Sequence, residues 1–326
     1  MAGRPPLRIA VQMDPVEGIN IAGDSTFALM LEAQARGWSL FHYLATDLDW
    51  NEGRVLARAR PLAVMRPERA GEAHFRWLGP QETIDLAQAV DVVLMRQDPP
   101  FDMGYITATH LLEQAQRQGV LVVNDPAEVR NAPEKLFVLE FADLMPPTLV
   151  TRSLEAARAF RTRHGEVVVK PLYGNAGAAV FHVPASDPNL APLVELFGHV
   201  WREPFMVQAF LPAVREGDKR IVLVDGEPVG AINRLPRAGE IRSNLAAGGE
   251  AHATELTARE RLICARLGPE LKRRGLIFVG IDVIDGHLTE INVTSPTGIV
   301  AIDRFYGTNT AGRFWDAVAA RRSAMA

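Results

Sequence analysis

The residues with the clearest chemical potential lie in a predicted β-hairpin, residues 276–294. A three-residue loop over 285–287 would place Asp282 directly opposite Glu290 on the neighbouring strand. Asn292 follows Glu290 by two residues and therefore shares its face of the hairpin. Carboxylate and amide oxygens are the ligands that Mg²⁺ prefers in proteins. The hairpin is therefore a candidate metal site.

The same pattern has a second interpretation, the solvated polar face of an edge hairpin. Two directly opposed carboxylates repel each other unless a cation lies between them, and this favours the metal site. The interpretation depends on the register, because a two-residue loop would pair Glu290 with Ile281. The other face of the hairpin is apolar and predicts a buried layer, formed by Ile281, Val283, Ile291 and Val293.

A second candidate is the run Glu166–Val183, in which a β-branched strand ends at Lys170 and a glycine-containing loop follows. Gly174 and Gly177 allow the backbone to approach a ligand, and backbone N–H groups beside a lysine can cradle phosphate oxygens. The spacing is not that of a P-loop. Taken alone, the run favours a hairpin turn preceded by a surface lysine. Together with the metal-like hairpin downstream, it indicates nucleoside triphosphate chemistry.

The elements that must position these residues differ between the two parts of the chain. Before Asn124 the predicted strands are 8–13, 90–96 and 120–125, and the predicted helices are 24–37 and 107–119. This order predicts a parallel sheet with helices on its faces, and the absence of G-x-G-x-x-G after the first strand argues against a dinucleotide site. Beyond Asn124, short strands predominate, including a hairpin over 220–234 with an Asp-Gly turn. The glycine-rich segment 242–254 is predicted to be a mobile loop.

Composition excludes several classes of protein. The 326 residues are 48% hydrophobic and 23% charged, which is typical of a globular chain, and the net charge of −4 offers no basic field to nucleic acid. No apolar run approaches the roughly 20 residues of a membrane span, and the amino-terminal residues lack the apolar core of a signal peptide. We therefore predict a cytoplasmic protein without nucleic-acid or membrane partners. The single cysteine, Cys264, rules out an internal disulfide and is interpreted as a core residue.

Several motifs carry a family resemblance, in order, from about Ile9 to about Thr297. They include LMRQDPPFD, VVKPLYGNAGAAVF, GDKRIVLVDGEPVGAINR, NLAAGG and LTEINVTSPTG. The chain resembles the bacterial glutathione synthetases, which are ATP-grasp ligases. The resemblance implies an α/β ATP-grasp fold with an N-terminal Rossmann-like parallel-sheet domain (residues 1–123) and an ATP-grasp domain (124–316). The latter would comprise a small β-rich lid subdomain (about 135–210) and a C-terminal α+β metal subdomain (about 211–316).

The resemblance also implies roles for residues by position. ATP would be bound by Lys135, Lys170, Gly174, Asn175, Gly177, the adenine hinge Gln208, Ala209, Phe210 and Leu211, and Asp218. Arg220 and Arg234 would be catalytic, facing the phosphates or the transferring carboxyl group. The metal, Mg²⁺ or Mn²⁺, would be held by Asp282, Glu290 and Asn292. Substrate would be contacted by Arg96, Asp24, Ser25, Asn292, Ser295 and Thr297.

The implied activity is ATP-dependent joining of glycine to γ-glutamylcysteine through an acyl phosphate, in a homotetramer. Some residues depart from the common family pattern: Tyr173, Asn175 and Ala176 alter the glycine loop, and Gln97 and Glu250 replace basic residues. These departures concern contacts of the lid and the substrate rather than the fold. Two alternatives remain at this point, a different ATP-grasp carboxylate–amine ligase and a nucleotide-binding regulator that has lost catalysis.

Overall fold

The computed structural model describes residues 5–69, 71–174, 177–245 and 248–325, and their strands form separate amino-terminal, middle and carboxyl-terminal sheets. Asn175, predicted to bind ATP, lies outside the described residues, as do Ala176, Ala246 and Ala247. The first two fall in the predicted glycine loop and the last two in the predicted lid.

The first sheet has the strand order β3-β4-β2-β1-β7-β8, with β5 and β6 paired to β4. Its strands are β1 (Arg8–Gln12), β2 (Ser39–Tyr43), β3 (Leu48–Asn51), β4 (Arg54–Val64), β5 (Phe75–Trp77), β6 (Glu82–Asp85), β7 (Val92–Met95) and β8 (Leu121–Val123). Its helices are α1 (Ser25–Ala35), α2 (Leu86–Ala89), α3 (Met103–Arg117) and α4 (Pro126–Asn131). Strand β1 pairs in parallel with β2 and β7, and β7 with β8, which confirms the predicted parallel sheet.

Local sequence explains where the predicted helices begin. Asp24 caps α1, because its carboxylate accepts a hydrogen bond of 2.6 Å from the backbone N–H of Phe27. Asp102 caps α3 in the same way, so that this helix begins four residues before the predicted start at Thr107. The antiparallel strands β3 to β6 were not predicted. Their longest member, β4, carries arginines among its apolar residues and lacks the continuous apolar signal of a buried strand.

The second sheet is antiparallel, in the order β11-β10-β12-β9. Its strands are β9 (Thr148–Thr151), β10 (Val167–Pro171), β11 (Phe181–Val183) and β12 (Phe205–Ala209), and the helices of this part of the chain are α6 (Leu154–His164) and α7 (Leu190–Val200). The short helix α5 (Glu134–Phe137) precedes them and packs against the third sheet. The two longer helices and the sheet share a separate apolar cluster that includes Ala157, Val169 and Phe197. This sheet therefore has a small core of its own.

The third sheet is also antiparallel, in the order β15-β14-β13-β16-β17. Its strands are β13 (Asp218–Val224), β14 (Glu227–Leu235), β15 (Glu250–Ala253), β16 (Phe278–Ile284) and β17 (His287–Asn292). The helices are α8 (Ala258–Arg273), α9 (Ile299–Tyr306) and α10 (Thr310–Ala324). Asp225 and Gly226 both have positive φ, 48° and 83°, as expected for the predicted Asp-Gly hairpin turn between β13 and β14.

The loop between β16 and β17 corrects one prediction. Only Asp285 and Gly286 separate the paired residues Ile284 and His287, so the loop has two residues and not three. The register then shifts between Asp282 and Val283, and this irregularity restores Asp282 to a position opposite Glu290. The expected pairing of the two carboxylates is therefore present, although the loop that was expected to produce it is not.

Candidate active site

A cleft with a volume of about 280 Å³ opens between the second and third sheets. Ligand pockets are commonly about 300–1,000 Å³, so the volume of the cleft lies near the lower end of that range. Most of the residues singled out by the sequence line this cleft. They are Lys135, Lys170, Gly174, Gly177, Gln208, Ala209, Phe210, Leu211, Asp218, Arg220, Arg234, Asp282, Glu290, Asn292, Ser295 and Thr297.

The register of the third sheet places the charged residues of the cleft in rows. Arg220 on β13 pairs with Asp282 on β16, which pairs in turn with Glu290 on β17. Asp218 lies two residues before Arg220, on the same face, and pairs with Arg234 on β14. In each of these rows, an arginine therefore lies beside a carboxylate on the neighbouring strand.

Asp282 is the most tightly held carboxylate of these rows. Its oxygens accept hydrogen bonds from Arg220 Nε (2.5 Å) and Nη2 (2.9 Å), and Arg234 Nη2 lies 2.9 Å from Oδ1. The residue is only 2% exposed. Burial by itself would raise the pKa of Asp282, but the two guanidinium groups outweigh burial and hold that pKa well below its usual range. Asp282 is therefore ionised at neutral pH.

Asp218 is also buried, but its pKa is shifted in the direction opposite to that of Asp282. Its Oδ2 accepts hydrogen bonds from Arg234 Nη2 (2.5 Å) and from the Ser243 hydroxyl (2.9 Å). Its Oδ1 has no hydrogen-bond partner in the described part of the chain. Burial raises the pKa of Asp218 to about 6 despite the favourable charge of Arg234. The two carboxylates next to Arg234 thus titrate far apart.

Two buried lysines converge on Glu290. Its Oε1 lies 3.6 Å from Lys135 Nζ and 3.5 Å from Lys170 Nζ. Lys135 also donates to Glu134 (2.8 Å) and to the backbone carbonyl of Gly174 (2.6 Å). Desolvation lowers the pKa of Lys170, whereas for Lys135 the adjacent carboxylates outweigh desolvation and raise the pKa. Both ammonium groups are thus held at one place in the cleft.

The donor set of the hairpin fits a hard divalent cation. Asp282 and Glu290 face each other across the strands, and Asn292 Nδ2 lies 3.4 Å from Asp282 Oδ2. Within residues 5–69, 71–174, 177–245 and 248–325, no group of three or more His, Cys, Asp or Glu side chains could hold a metal ion by itself. Mg²⁺ is commonly held by one or two carboxylates together with substrate phosphates, so two carboxylates and an amide suit it.

The glycine loop and the hinge bound the cleft on the side of the second sheet. Gly177 has φ of +76°, which favours glycine, and a Cβ there would come within 2.8 Å of Asn244 Oδ1 and displace that side chain. The hinge follows β12: the N–H groups of Ala209 and Phe210 donate to the carbonyls of Pro147 and Glu166, each at 2.9 Å. These bonds fix the hinge relative to its sheet.

Three residues predicted to contact substrate do not line the cleft. Asp24 caps α1, and Ser25 beside it is buried. Arg96 is 5% exposed, and it donates to Thr26 Oγ1 (2.9 Å) and to the carbonyl of Pro296 (3.0 Å). Its Nη1 finds no acceptor among the residues described. The guanidinium group therefore joins the first sheet to the loop that carries Ser295 and Thr297.

Comparisons with known proteins match nearly the full length of the chain. The family model for the prokaryotic glutathione synthetase N-terminal domain matches residues 7–130, and that for the prokaryotic glutathione synthetase ATP-grasp domain matches residues 134–307. A glutathione synthetase of Mesorhizobium japonicum is 56% identical over 97% of this chain and 99% of its own length. One of Agrobacterium fabrum is 55% identical over 97% of this chain and 98% of its own.

This chain belongs to the prokaryotic glutathione synthetase family. The family resemblance read from the sequence is thereby confirmed, and with it the expectation of an ATP-dependent ligase that forms glutathione. Among solved structures, the D-cycloserine synthetase DcsG superposes with a TM-score of 0.67, covering 96% of this chain and 99% of that one. At 16% identity this match supports the ATP-grasp fold alone. No helix within the described residues is long and apolar enough to cross a membrane.

The cleft of this glutathione synthetase family member contains charged and polar residues that the sequence did not single out. Glu134 is the nearest carboxylate to Lys135, Asp98 borders the cleft from the first sheet, and Ser243 binds Asp218. Burial raises the pKa of both Glu134 and Asp98. Glu134 could have been singled out from the sequence, because an acid directly beside a predicted phosphate-binding lysine would compete with phosphate for that lysine. Ser243 could not, because a small polar residue in a loop gives no indication of its hydrogen-bond partner.

Proposed function

We propose that the cleft joins glycine to γ-glutamylcysteine at the expense of ATP, and that its charged rows carry the chemistry. The observation that supports this most directly is the convergence of Lys135 and Lys170 on Glu290, which lies in the same row as Arg220. Ammonium groups that lie at a carboxylate in the free protein are placed to bind phosphate oxygens when nucleotide enters. Asp282 and Glu290, which face each other across the strands, lie beside these ammonium groups and would supply metal ligands.

The nucleotide would occupy the side of the cleft formed by the second sheet. Lys135, Lys170 and the loop that includes Gly174, Asn175 and Gly177 would bind the phosphates, and Asp218 would lie near the ribose or the metal. Adenine would lie against the hinge of Gln208, Ala209, Phe210 and Leu211. The backbone N–H of Leu211 makes no hydrogen bond within the described residues, so it is free to donate to a ring nitrogen of the base.

Asp282, Glu290 and Asn292 would hold Mg²⁺ or Mn²⁺ together with phosphate oxygens. When bound, such an ion would neutralise charge that develops on the transferring phosphoryl group. Arg220 and Arg234 are the residues of this chain best placed to assist. Arg220 is bound to the carbonyl of Thr297 (3.3 Å) as well as to Asp282, so its position is fixed from two sides.

The reaction would proceed in two displacements. A carboxylate oxygen of the cysteinyl residue attacks the γ-phosphorus, the bond from that phosphorus to the bridging oxygen breaks, and ADP leaves. The deprotonated amine of glycine then attacks the acyl carbon, and phosphate departs with the electrons of the broken C–O bond. Arg220 would stabilise the phosphoryl oxygens, and Arg234 the oxyanion of the tetrahedral intermediate. Because ATP activates the carboxylate directly, no nucleophilic side chain is required.

The dipeptide would reach the cleft from the first sheet, past Ser295 and Thr297. Arg96 donates to the carbonyl of Pro296 in this loop, and Arg220 donates to that of Thr297. The unused Nη1 of Arg96, with Ser25 and Asp24 nearby, would meet the substrate's distal carboxylate. A charge-assisted hydrogen bond from a guanidinium group to a carboxylate suits that task. We propose residues 1–123 as the substrate domain and 124–316 as the ATP-grasp domain, with subdomains of about 135–210 and 211–316. We also propose a homotetramer in the cytoplasm.

The test is ADP release by the purified protein with Mg²⁺-ATP and γ-glutamylcysteine, with and without glycine, combined with direct measurement of glutathione. We expect glycine-dependent ADP release with an equal yield of glutathione. Nucleotide binding without ADP release would contradict the proposal in favour of a regulatory protein. Turnover with a different carboxylate only would instead identify a ligase of other specificity.

A further inference from the structure

A histidine packs tightly against the hinge without lining the cleft. The ring of His182, on β11, stacks on that of Phe210 with centroids 4.0 Å apart and planes at 26°. Its Nε2 lies 2.6 Å from Glu166 Oε2 and is the donor towards the carboxylate. The side chain of His182 is 21% exposed, whereas that of Glu166 is 50% exposed. The histidine is thus held between an outer carboxylate and an inner aromatic ring.

The register of the second sheet places this contact on the cleft side. His182 pairs with Val168 of β10, and Val168 pairs with Gln208 of β12. Paired residues of neighbouring strands share a face, and both Val168 and Gln208 line the cleft. Glu166 and Phe210 lie two residues away from these on their own segments. The stack therefore stands at the end of the cleft-facing surface that the nucleotide would occupy.

Glu166 and His182 hold Phe210 at two points. Its backbone N–H donates to the carbonyl of Glu166 at 2.9 Å, while its ring contacts His182. Glu166 thus fixes the main chain of the hinge residue directly and fixes its ring through the histidine. An aromatic side chain at a pocket wall loses contact area with its ligand when it is free to change rotamer, so such support bears on affinity.

We propose that His182, oriented by Glu166, is a positioning residue that fixes the Phe210 ring as a wall of the nucleotide pocket and thereby sets the affinity for ATP. The inference rests on the proposed function, because it takes the hinge as the adenine site. The role is indirect: His182 touches neither the transferred phosphoryl group nor the dipeptide. Its loss should therefore change nucleotide binding and leave the chemical step unchanged.

The experiment compares His182→Ala with His164→Ala. His164, on α6, makes a similar contact with Phe160 at 4.4 Å in the same part of the molecule, but neither of these residues lines the cleft. We expect His182→Ala to weaken ADP binding, measured by calorimetry, and to raise KM for ATP by about 2- to 10-fold, the range of one aromatic contact. We expect kcat at saturating ATP and KM for γ-glutamylcysteine to stay within about twofold. His164→Ala should leave nucleotide affinity unchanged.

Two further variants separate the ring from the hydrogen bond. His182→Tyr retains a ring against Phe210 and should recover most of the lost affinity. Glu166→Gln, at a half-exposed position that tolerates substitution, should weaken ADP binding by about twofold because the histidine is less firmly oriented. Unchanged ADP affinity in His182→Ala, or an equal loss in His164→Ala, would overturn the inference. Parent protein that binds no ADP would instead refute the proposed function, which is a distinguishable result.

Discussion

The two facing carboxylates of the hairpin should respond very differently to neutralisation. Asp282 accepts three charge-assisted contacts of 2.5 to 2.9 Å from two buried guanidinium groups. In Asp282→Asn, Arg234 retains Asp218, but Arg220 loses its only carboxylate partner within the described residues. Removing one partner of a buried ion pair costs about 3–5 kcal/mol. Glu290 is 19% exposed on its side chain and its lysine contacts are longer, at 3.5–3.6 Å, but Glu290→Gln leaves the buried Lys170 without a carboxylate partner among the described residues, so it should cost about 1–3 kcal/mol.

Thermal unfolding monitored by circular dichroism tests the difference. At about 2 °C per kcal/mol for a chain of this size, Asp282→Asn should lower Tm by roughly 6–10 °C and Glu290→Gln by roughly 2–6 °C. Asp49→Asn, at an exposed position on β3, is the control and should not change Tm. Both cleft variants should lose most glycine-dependent ADP release. A Tm for Asp282→Asn within about 2 °C of the parent would refute the reasoning about the guanidinium groups, and normal Mg²⁺-dependent turnover in both would refute the metal site.

Three other predictions follow from the same cleft. Lys170→Met should raise KM for ATP at least tenfold, whereas Lys272→Met, at an exposed lysine of α8, should leave steady-state kinetics unchanged. Because the pKa of Asp218 is raised to about 6, its protonated form adds stability that is complete below about pH 4 and is lost as pH rises through 6. The stability of Asp218→Asn, measured by urea denaturation, should lack this pH dependence. An unchanged dependence would contradict the raised pKa of Asp218. Gly177→Ala, at φ of +76°, should weaken ATP binding by several fold in calorimetry, and unaltered binding would show that this backbone is not needed.

The pairing of Asp282 with Glu290 shows how far sequence alone could go. Alternation of polar and apolar residues correctly assigned the two faces of the hairpin: Ile281, Val283 and Ile291 are buried. The loop length was wrong, and the pairing survived because the register shifts next to Asp282. The extra residue of β17 is Thr289, whose hydroxyl donates to the carbonyl of Asp282 at 3.1 Å. Threonine is common in strands, so the residue type at this position did not indicate a bulge.

The contacts of the arginines show what could not be predicted from the sequence. Period-2 alternation places Arg220 on the face of Asp218, but it does not predict that Nε and Nη2 of Arg220 both meet Asp282 on the next strand. Arg96 ends a parallel strand, where α/β sites form, yet its guanidinium group turns to Thr26 and Pro296 rather than into the cleft. A long side chain can reach several partners from one backbone position. The choice depends on elements distant in sequence, and local pattern cannot supply it.

The charge balance of the cleft connects these observations. Four buried cations, Lys135, Lys170, Arg220 and Arg234, lie among four carboxylates, Glu134, Asp218, Asp282 and Glu290. Each group satisfies another, so the free protein avoids the large cost of isolated buried charge. In the proposed function, phosphate oxygens replace Glu290 as the partner of the lysines, and Glu290 becomes available to a divalent cation. Phosphate and metal would therefore be expected to bind more tightly together than separately, because each takes over the partner that the other releases.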